Sequence, residues 1–596
     1  PWLRAYISNG MTMTMKTIIT KTQTSMKKIT LFLAACFMLA TASLAETQPA
    51  VTFNWAHTVD GATSAGDNII GMVKASGGDY YVATTWGTNS GASQVNLWFD
   101  GEQVTGADGA AIVGSPYTGT SKNGNMFLQK VSNAGSIVWN AYTRKGDIAH
   151  DKSHIVSTKD GGLLAVLKTR AWVAEAGYDN LVEYVDPTGH VTTIKDMGNV
   201  SGEYRYLMLK IAENGSLEWS RLIAGKVEKR KKGFTKDNMS IYGVAVDEDG
   251  GIYLTGNFRT EMYLKKTDGT VETLTAKNST EWDGDSQGVV GDLFLAKLDK
   301  DGYFVKSLTA EGIAASAFLD KVVYANGNLY FNGRIKGKAG NELTLGGKAV
   351  SVTNDCENLL LASVSAADLS VGYVKTITPV GSKKTIHNNG CQWIDGYVYF
   401  TGSSMGGLTG LYENSKGQHK GYILKMDPAT GEVVKSAIRL DGGIGKFYGV
   451  YLNGSTMYAF GYDMTGGALL VPVDAATLSL GTGITLCKYG IVAAACTPII
   501  DGENMVVANR GRNTATLYGT DYSYTGNKNW AMIYYSYKLA GTSVGIGTTT
   551  AESQKGKTDV YTLDGRLVKS AQSYDKAVGG LAQGVYVIGN KKVTIR

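Results

Sequence analysis

Apolar and polar residues alternate in short runs over most of residues 51–541, and turn residues separate the runs. A period of two is typical of strands with one buried face, because successive side chains point to opposite sides of a sheet. Asn-Gly and Asp-Gly pairs supply the positive φ angles that two-residue hairpins need. Seven Gly-containing turns precede apolar strands: Gly77-Gly78, Gly161-Gly162, Gly250-Gly251, Asn326-Gly327, Asp395-Gly396, Asn453-Gly454 and Asp501-Gly502. The pattern predicts an all-β chain built from hairpins.

A second motif recurs in register with these turns. It consists of an apolar strand that ends near a lysine, a short turn that ends in glycine, and another strand. The Lys and Gly pairs are Lys130 and Gly135, Lys210 and Gly215, Lys297 and Gly302, and Lys425 and Gly431. Each repeat therefore carries four strands, with a long link between the second and the third. Four-stranded units in radial repetition are typical of a β-propeller.

Dividing residues 51–541 into repeats predicts seven blades. Their approximate bounds are 62–143, 144–225, 226–312, 313–379, 380–443, 444–490 and 491–541. The last repeat lacks its outer strand, and residues 53–58 resemble the outer strands of other repeats. We therefore expect the N-terminal strand to close the ring, since an open ring would leave an unpaired edge. Trp55, Trp139 and Trp219 are expected to pack between sheets.

The repeat also resembles a known family. Asp247, Gly250, Tyr253 and Gly256, followed by the strand 292–297, are similar to the SBBP-type β-propeller repeat. The resemblance extends over most of the chain and weakens after residue 445. It implies a propeller fold and does not imply one activity.

The links between second and third strands are long, at about 89–124, 171–203, 259–290 and 335–356, and some contain a hairpin of their own. Recognition often lies on loops that a rigid scaffold holds in place. Aromatic side chains on the face of these links are expected to be exposed and are candidates for stacking on sugar rings or on a protein ligand: Trp86, Trp98, Trp172, Tyr178 and Trp282. The alternative is that these rings pack beneath the long links.

The N-terminal 45 residues have the features of a targeting segment. We expect translation to start at Met26, followed by two lysines and an apolar run over 29–44. Small residues before position 46 indicate cleavage of a secretory signal after Ala45. The alternatives are a retained anchor helix and an outer-membrane lipoprotein lipidated at Cys36, although the apolar run continues past that cysteine.

The C-terminus has a polar linker over 542–557 and a strand-rich segment over 558–596. Tyr561, Gly565 and Arg566, and then Leu581, Gly584 and Tyr586, resemble the C-terminal sorting domain of type IX secretion cargo. The resemblance implies a small β-sandwich-like domain, contact with the secretion machinery, and a destination at the cell surface or in the medium. The alternative is a small accessory β-domain.

Composition excludes several classes of protein. The net charge is +6 with 18% charged residues, too weak a balance to predict nucleic-acid binding. The chain shows neither a phosphate-binding loop nor a dinucleotide-binding glycine motif, so no cofactor is expected. The six histidines are dispersed, and the spacing of His150 and His154 suits a helix in a region that indicates strand. Four cysteines remain after cleavage, at 356, 391, 487 and 496, and an even number permits disulfides in an exported protein.

Catalytic interpretations are weaker. Asp427, Thr430 and Gly431 are similar to part of the motif of pyrroloquinoline-quinone propellers, but Lys435 stands where that motif has tryptophan. Asp283 and Asp285 are candidates for glycoside hydrolysis by loop position alone.

The sequence therefore favours an exported, non-catalytic propeller that binds a glycan or a protein through its long links. The alternatives are a propeller glycoside hydrolase that acts on extracellular polysaccharide and a structural envelope component. The basic run 226–232 is expected to be a solvated loop, and the alternative is that it contacts an anionic glycan.

Overall fold

The structure is a computed structural model of the chain. The chain forms two compact units, Pro1–Ala540 and Gly541–Arg596. The residues that the structure describes are 51–61, 68–87, 95–114, 124–170, 181–195, 204–226, 239–277, 291–312, 314–337, 343–350, 352, 356–380, 385–413, 418–439, 445–453, 456–463, 467–495, 498–525, 531–539, 558–562, 567–572, 581, 583–588 and 591–595. The described residues contain strands and one 3₁₀ turn at Ser76–Gly78, without an α-helix. The all-β class predicted from the sequence is confirmed.

In the larger unit, described strands pair in groups of four, numbered here in chain order. The first strand β1 (Val51–Gly61) belongs to the last group, described below. The first unit contains β2 (Asn68–Lys74), β3 (Tyr80–Trp86), β7 (Asn125–Val131) and β8 (Ile137–Arg144), with β4 (Val95–Phe99), β5 (Glu102–Gln103) and β6 (Val113–Gly114) in its link. The second contains β9 (Asp147–Ser157), β10 (Leu163–Arg170), β13 (Tyr204–Ile211) and β14 (Leu217–Gly225), with β11 (Val182–Val185) and β12 (Val191–Ile194) in its link. The third contains β15 (Met239–Val246), β16 (Ile252–Phe258), β19 (Asp292–Leu298) and β20 (Phe304–Gly312), with β17 (Glu261–Lys265) and β18 (Val271–Thr275) in its link.

The later units repeat this order. The fourth contains β21 (Ala314–Ala325), β22 (Asn328–Gly337), β25 (Asn358–Ser365) and β26 (Val371–Ile377), with β23 (Leu343–Leu345) and β24 (Lys348–Val350) in its link. After β27 (Pro379–Val380), the fifth contains β28 (Ile386–Ile394), β29 (Tyr397–Ser404), β31 (Lys420–Met426) and β32 (Val433–Ile438), with β30 (Gly407–Leu408) in its link. The sixth contains β33 (Gly445–Asn453), β34 (Thr456–Asp463), β35 (Gly467–Val473) and the first part of β36 (Ile484–Ala495). The closing unit contains β37 (Ile499–Asp501), β38 (Asn504–Leu517), β40 (Ala531–Leu539) and β1, with β39 (Ser523–Thr525) in its link.

The N-terminal strand completes the closing unit. β1 runs antiparallel to β40, with Val51 opposite Leu539 and Val59 opposite Met532. This pairing, predicted from the likeness of β1 to the outer strands, is confirmed. It covers the edge of β40 with strand from the opposite end of the larger unit, so the edge is not left to pair with another molecule.

Each unit has two ends, which differ in the loops that join its strands. The short turns that join the first to the second strand and the third to the outer strand define the turn end. Asn326 and Gly327 (φ 50° and 74°) and Asp395 and Gly396 (φ 47° and 78°) form hairpins there with both central residues in the left-handed region, as Asn-Gly and Asp-Gly predict. The long links between second and third strands define the link end.

The hairpins in the links extend neighbouring sheets, which the sequence did not predict. The hairpin β11–β12 of the second unit pairs with the outer strand β8 of the first. In the same way β17–β18 pairs with β14, β23–β24 with β20, and β4–β5 with β1. The links therefore tie each of these units to the one before it, and their strands form the outer rim of the link end.

The hydrophobic core lies between adjacent units. One buried cluster joins Tyr81 and Leu128 of the first unit to Leu163 and Leu209 of the second. Further clusters join each successive pair, and one joins the closing unit to the first through Val59. Two-sided burial explains why the second and third strands read as nearly continuous apolar runs.

The first strands, here called inner strands, contact each other in chain order, and β37 contacts β2. Each inner strand from the first to the sixth unit has a register shift at a similar position, a β-bulge. A bulge redirects side chains because one residue has no partner opposite. The extra residues in five of these strands are Ile70, Tyr242, Asp320, Asn389 and Tyr448.

The tryptophans of the outer strands link consecutive units at the turn end. Trp139 of β8 packs near Gly215 in a turn of the second unit, and its indole N–H donates to the Glu213 carbonyl at 3.0 Å. A Cβ added to Gly302, at the same place in the third unit, would lie 2.9 Å from the Trp219 ring. Trp55 makes the same contact with Gly135, 2.6 Å from an added Cβ. The expected packing of these tryptophans between sheets is therefore observed, and the recurring glycines leave room for the rings.

The smaller unit contains β41 (Thr558–Thr562), β42 (Leu567–Gln572), β43 (Gly584–Ile588) and β44 (Lys591–Ile595). These strands form one antiparallel sheet in the order β42-β41-β43-β44. The sandwich-like form suggested by the resemblance stays a prediction.

Candidate functional site

The residues of the repeat motif form structural contacts at the turn end. The Tyr253 hydroxyl donates to the Asp247 carboxylate at 2.8 Å, and the same carboxylate accepts the Gly251 backbone N–H at 2.6 Å. Lys297 donates to the Ala366 carbonyl of the fourth unit at 2.7 Å. The aspartate, tyrosine and lysine of the motif thus close a turn and bind the next unit.

Two of the equivalent lysines form ion pairs with carboxylates, whereas Lys425 lies over the Tyr397 ring, 4.0 Å from its centre. Lys130 pairs with Glu213 of the second unit at 2.9 Å. Lys210 pairs with Asp160 at 2.7 Å and with Glu218 at 3.3 Å. Burial acts to raise the pKa of Asp160, but hydrogen bonds from Lys210, Thr158 and a backbone N–H outweigh it and lower that pKa to about 2.

The link end carries a buried polar network around the bulge of β21. The Asp320 side chain is 6% exposed and accepts two hydrogen bonds from the Arg334 guanidinium, at 2.9 and 3.0 Å. The Asn388 amide donates to Asp320 at 2.8 Å and accepts from the Tyr422 hydroxyl at 2.6 Å. Arg334 also lies over the Phe318 ring, 4.6 Å from its centre. The Asp320 carboxylate is thus held by three donated hydrogen bonds.

Three basic side chains gather next to this network. The imidazole rings of His387 and His419 lie 4.7 Å apart, and Nδ1 of His419 is 3.3 Å from the Ser403 hydroxyl. Lys446, at the start of the sixth unit, is half-buried like both histidines. Burial lowers the pKa of the Lys446 ammonium. Within the described residues, neither Lys446 nor His387 has a hydrogen-bond or ion-pair partner.

The two histidines respond to this environment. Burial first, and then repulsion by Lys446, His419 and Arg334, lowers the pKa of His387 to about 4, although Asp320 acts in the opposite direction. Burial and then Lys446 lower the pKa of His419. Both rings are therefore neutral at pH 7, and a protonated form requires a nearby negative charge.

The predicted aromatic site residues are not all available to a ligand. Trp86 is fully buried and packs edge to face on Phe127, with ring centres 6.3 Å apart. Its expected exposure is therefore corrected: the second strand is covered on both faces, so the ring belongs to the core. Trp98 is half-buried on β4, opposite Asp60 of the closing strand. Trp172, Tyr178 and Trp282 lie outside the described residues.

The other candidates fill structural roles or fall outside the description. His150 and His154 lie on strand β9, not on a helix, and His154 contacts the Ile241 carbonyl of the third unit at 3.0 Å. Asp427 caps the turn before β32 through the Ala429 N–H at 2.8 Å. Asp283 and Asp285 lie outside the described residues. Within the described part of the chain, no group of three or more histidine, cysteine or acidic side chains is close enough to hold a metal ion.

Two further sequence expectations have partial answers. Cys391 forms no disulfide, and its thiol donates to the Tyr330 carbonyl at 3.4 Å, while burial raises the pKa of that thiol. Cys496 lies outside the described residues. Lys226, the first residue of the basic run, pairs with Glu261 at 2.7 Å, and residues 227–232 lie outside the description.

Sequence reasoning missed the group of His387, His419 and Lys446. These residues are 59 positions apart along the sequence at most, and nothing in their spacing suggests a site. The register places His387 opposite Ser403, whose hydroxyl contacts His419. The sequence feature that could have indicated the group is that all three residues lie at or next to the link ends of strands in adjacent repeats.

Comparisons with known proteins agree with a repeated all-β fold. The family described as "SBBP: Beta-propeller repeat" matches residues 218–257, and no curated protein matches the chain. Similar solved structures include the quinohemoprotein alcohol dehydrogenase of Comamonas testosteroni, at 13% identity over 82% of this chain and 77% of that one, with a TM-score of 0.34. A puromycin hydrolase has 12% identity over 85% of this chain and 58% of its own, with a TM-score of 0.35. Saccharomyces cerevisiae Sqt1 has 9% identity over 83% and 98%, with a TM-score of 0.31.

The described part of the chain contains no helix that is both long and apolar enough to span a membrane. The match at 218–257 covers the outer strand β14 through most of β16, so it spans the contact between the second and third units. Together with the four-stranded repeats and the inner strands that contact each other in chain order, this match supports a β-propeller repeat fold for the chain.

Proposed function

We propose that this protein is an exported, non-catalytic β-propeller of seven blades that binds a glycan at its link end. The seven blades correspond to the six numbered units and the closing unit. The N-terminal segment through Ala45 serves as a cleaved secretory signal, and residues 558–596 serve as a type IX sorting domain that delivers the protein to the cell surface or medium. Export is tested by following where the protein accumulates after removal of residues 541–596.

The observation that carries the binding proposal is the construction of the link end. Hairpins in the links pair with the preceding units, so the rim is made of strands anchored to the core. Anchored aromatic and polar groups lose little conformational entropy on binding. Trp98 stands on this rim, and Trp172, Tyr178 and Trp282 belong to the same kind of link by sequence position.

The hydrolase alternative receives less support. Glycoside hydrolysis uses two carboxyl groups on either side of the scissile bond. Among the buried carboxylates toward the link end, Asp320 is engaged by Arg334 and Asn388, and Glu183 by Arg144 and Lys145. Carboxylates whose oxygens already accept hydrogen bonds from charged side chains are less available to a substrate.

A glycan array with the purified protein tests the binding proposal. We expect retention of a defined glycan, and at least tenfold weaker retention by Trp98→Ala, because the variant removes an anchored stacking face. Trp393→Ala is the matched control: Trp393 is also half-buried but stacks on Tyr330 near the turn end, with ring centres 5.5 Å apart. Undiminished retention by Trp98→Ala contradicts its role. Absence of binding to every glycan on the array contradicts a glycan ligand, and a protein ligand is then the alternative to test.

A further inference from the structure

In the group of His387, His419 and Lys446, the charge of Lys446 has no counter-charge within the described residues. The three side chains come from two adjacent units: His387 on β28, His419 directly before β31, and Lys446 on β33. The backbone N–H of Gly445, next to Lys446, donates to the His419 carbonyl at 3.2 Å, which fixes the two units against each other here. The group is therefore assembled by the contact between the fifth and sixth units.

Asp320, the carboxylate that influences His387, is not available to neutralise Lys446. Asp320 already accepts two hydrogen bonds from Arg334 and one from Asn388, so its charge is balanced by the guanidinium. A half-buried ammonium without a partner, such as that of Lys446, costs free energy unless a counter-charge joins it. By contrast, Lys130 and Lys210 at the turn end each have two carboxylate neighbours within 4 Å.

We propose that the group of His387, His419 and Lys446 binds an oxyanion: a sulfate, a phosphate or a carboxylate. Lys446 supplies a charged donor, and each imidazole supplies an N–H donor, so a single oxyanion receives several charge-assisted hydrogen bonds. Arg334, close enough to influence His387, adds positive potential from the fourth unit. The site goes beyond the proposed function, since a free ion occupies it without any glycan stacking on the rim.

Binding is linked to proton uptake. The charged groups that face His387 are Lys446, His419, Arg334 and Asp320, and Lys446 faces His419. The cations disfavour protonation of either ring in the free site. A bound oxyanion reverses this effect and raises both histidine pKa values, so we expect affinity to increase as the pH falls from 7 to 5.5.

The test is calorimetric titration of the purified protein with sodium sulfate, phosphate and glucuronate, at constant ionic strength set with chloride. We expect saturable binding of at least one of these ions, an affinity that increases at least tenfold between pH 7 and 5.5, and a heat that depends on the ionisation enthalpy of the buffer. The last measurement counts the protons taken up. Comparing the three ions separates a sulfate or phosphate source from a carboxylate source.

Variants locate the site. Lys446→Met and His387→Gln are each expected to weaken binding at least tenfold, and Lys446→Arg to retain it. Lys348→Met, which removes an exposed lysine on β24, is the matched control and is expected to bind normally. Absence of saturable binding to all three ions, or equal binding by Lys446→Met and the unaltered protein, overturns the proposal. Because the probes are free ions, this outcome is independent of the glycan array.

Discussion

Lys210 at the turn end and Lys446 at the link end differ in how their positive charge is balanced. At the turn end, Lys210 is nearly buried, yet Asp160 and Glu218 neutralise it. At the link end, Lys446 is half-buried beside His387 and has no counter-charge within the described residues. Both lysines lie on strands of the same repeated architecture, so the difference comes from the residues around them rather than from the fold.

This comparison separates the residues that maintain the repeat from those that are free to act on a ligand. The turn end contains the motif residues, which contact their own unit or the next through hydrogen bonds, ion pairs or, for Lys425, a tyrosine ring. The link end contains residues that differ from unit to unit, including the Asp320 network and the oxyanion site proposed above. Variants at the turn end should therefore change stability, and variants at the link end should change binding.

The largest effect is expected for Trp139→Ala at the turn end. The variant removes the ring that packs near Gly215 and the hydrogen bond to the Glu213 carbonyl. We expect the free energy of unfolding to fall by about 3 kcal/mol, as for other large-to-small substitutions of packed aromatic residues. Chemical denaturation measures it. Val138→Ala on the same strand, where the side chain is 51% exposed, should change stability by less than about 0.5 kcal/mol. Loss of sulfate affinity in a folded Trp139→Ala protein would contradict the assignment of stability to the turn end and of binding to the link end.

A smaller effect is expected when the two lysines are compared directly. Lys210→Met leaves Asp160 and Glu218 without their cation, and because both carboxylates are largely exposed we expect a loss of about 1 kcal/mol in the free energy of unfolding. Lys446→Met removes a half-buried charge without a described partner and should be neutral or stabilising. Denaturation curves of both variants at pH 7 give the comparison. A greater loss for Lys446→Met than for Lys210→Met would contradict the charge balance described here.

The pH dependence of the Lys210 contribution has a definite sign. The pKa of Asp160 is lowered to about 2 in the folded protein from an ordinary value of 3.8. The stabilisation is therefore present above pH 3.8 and is lost as the pH falls toward 2. The difference between Lys210→Met and the unaltered protein should shrink over that window.

The smallest effects are expected on individual histidines, and the pKa values of His57 and His387 should shift in opposite directions. His57 on β1 contacts Asp100 at 2.7 Å and the Gly135 carbonyl at 2.6 Å. Burial acts to lower the pKa of His57, but these contacts outweigh it and raise that pKa above 6.5. Histidine titration by NMR should place His57 above 6.5 and His387 near 4, and sulfate should raise the pKa of His387 while leaving that of His57 unchanged.

The two histidines also affect stability in opposite directions. The His57 contribution is fully present below pH 6.5 and is lost as the pH rises through its folded pKa. For His387 the folded pKa is below the unfolded one, so stability falls as the pH decreases from 6.5 toward 4. Asp100→Asn should lower the pKa of His57 below 6.5, because burial then outweighs the remaining contact with the Gly135 carbonyl, and an unchanged value would contradict the role of Asp100.

Much of the architecture could be predicted because it depends on local rules. Asn326-Gly327 and Asp395-Gly396 favour one kind of hairpin, and the likeness of residues 53–58 to other outer strands was sufficient to predict the pairing of β1 with β40. The exposure of Trp86 was predicted wrongly, because alternation does not reveal that the second strand is covered on both faces. The pairing of the link hairpins with preceding units was missed, because no local signal connects β11 to β8.

By itself, the sequence determined the strands, the turns and the repeat, since backbone preferences at glycine and asparagine and the period of two act over a few residues. Only the tertiary structure decided where charge stays unbalanced, because the environment of Lys446 depends on His387 and His419 from the neighbouring unit. Electrostatic interactions at distances of a few ångströms depend on which strands pack together and in which register, and that information is spread over the whole chain.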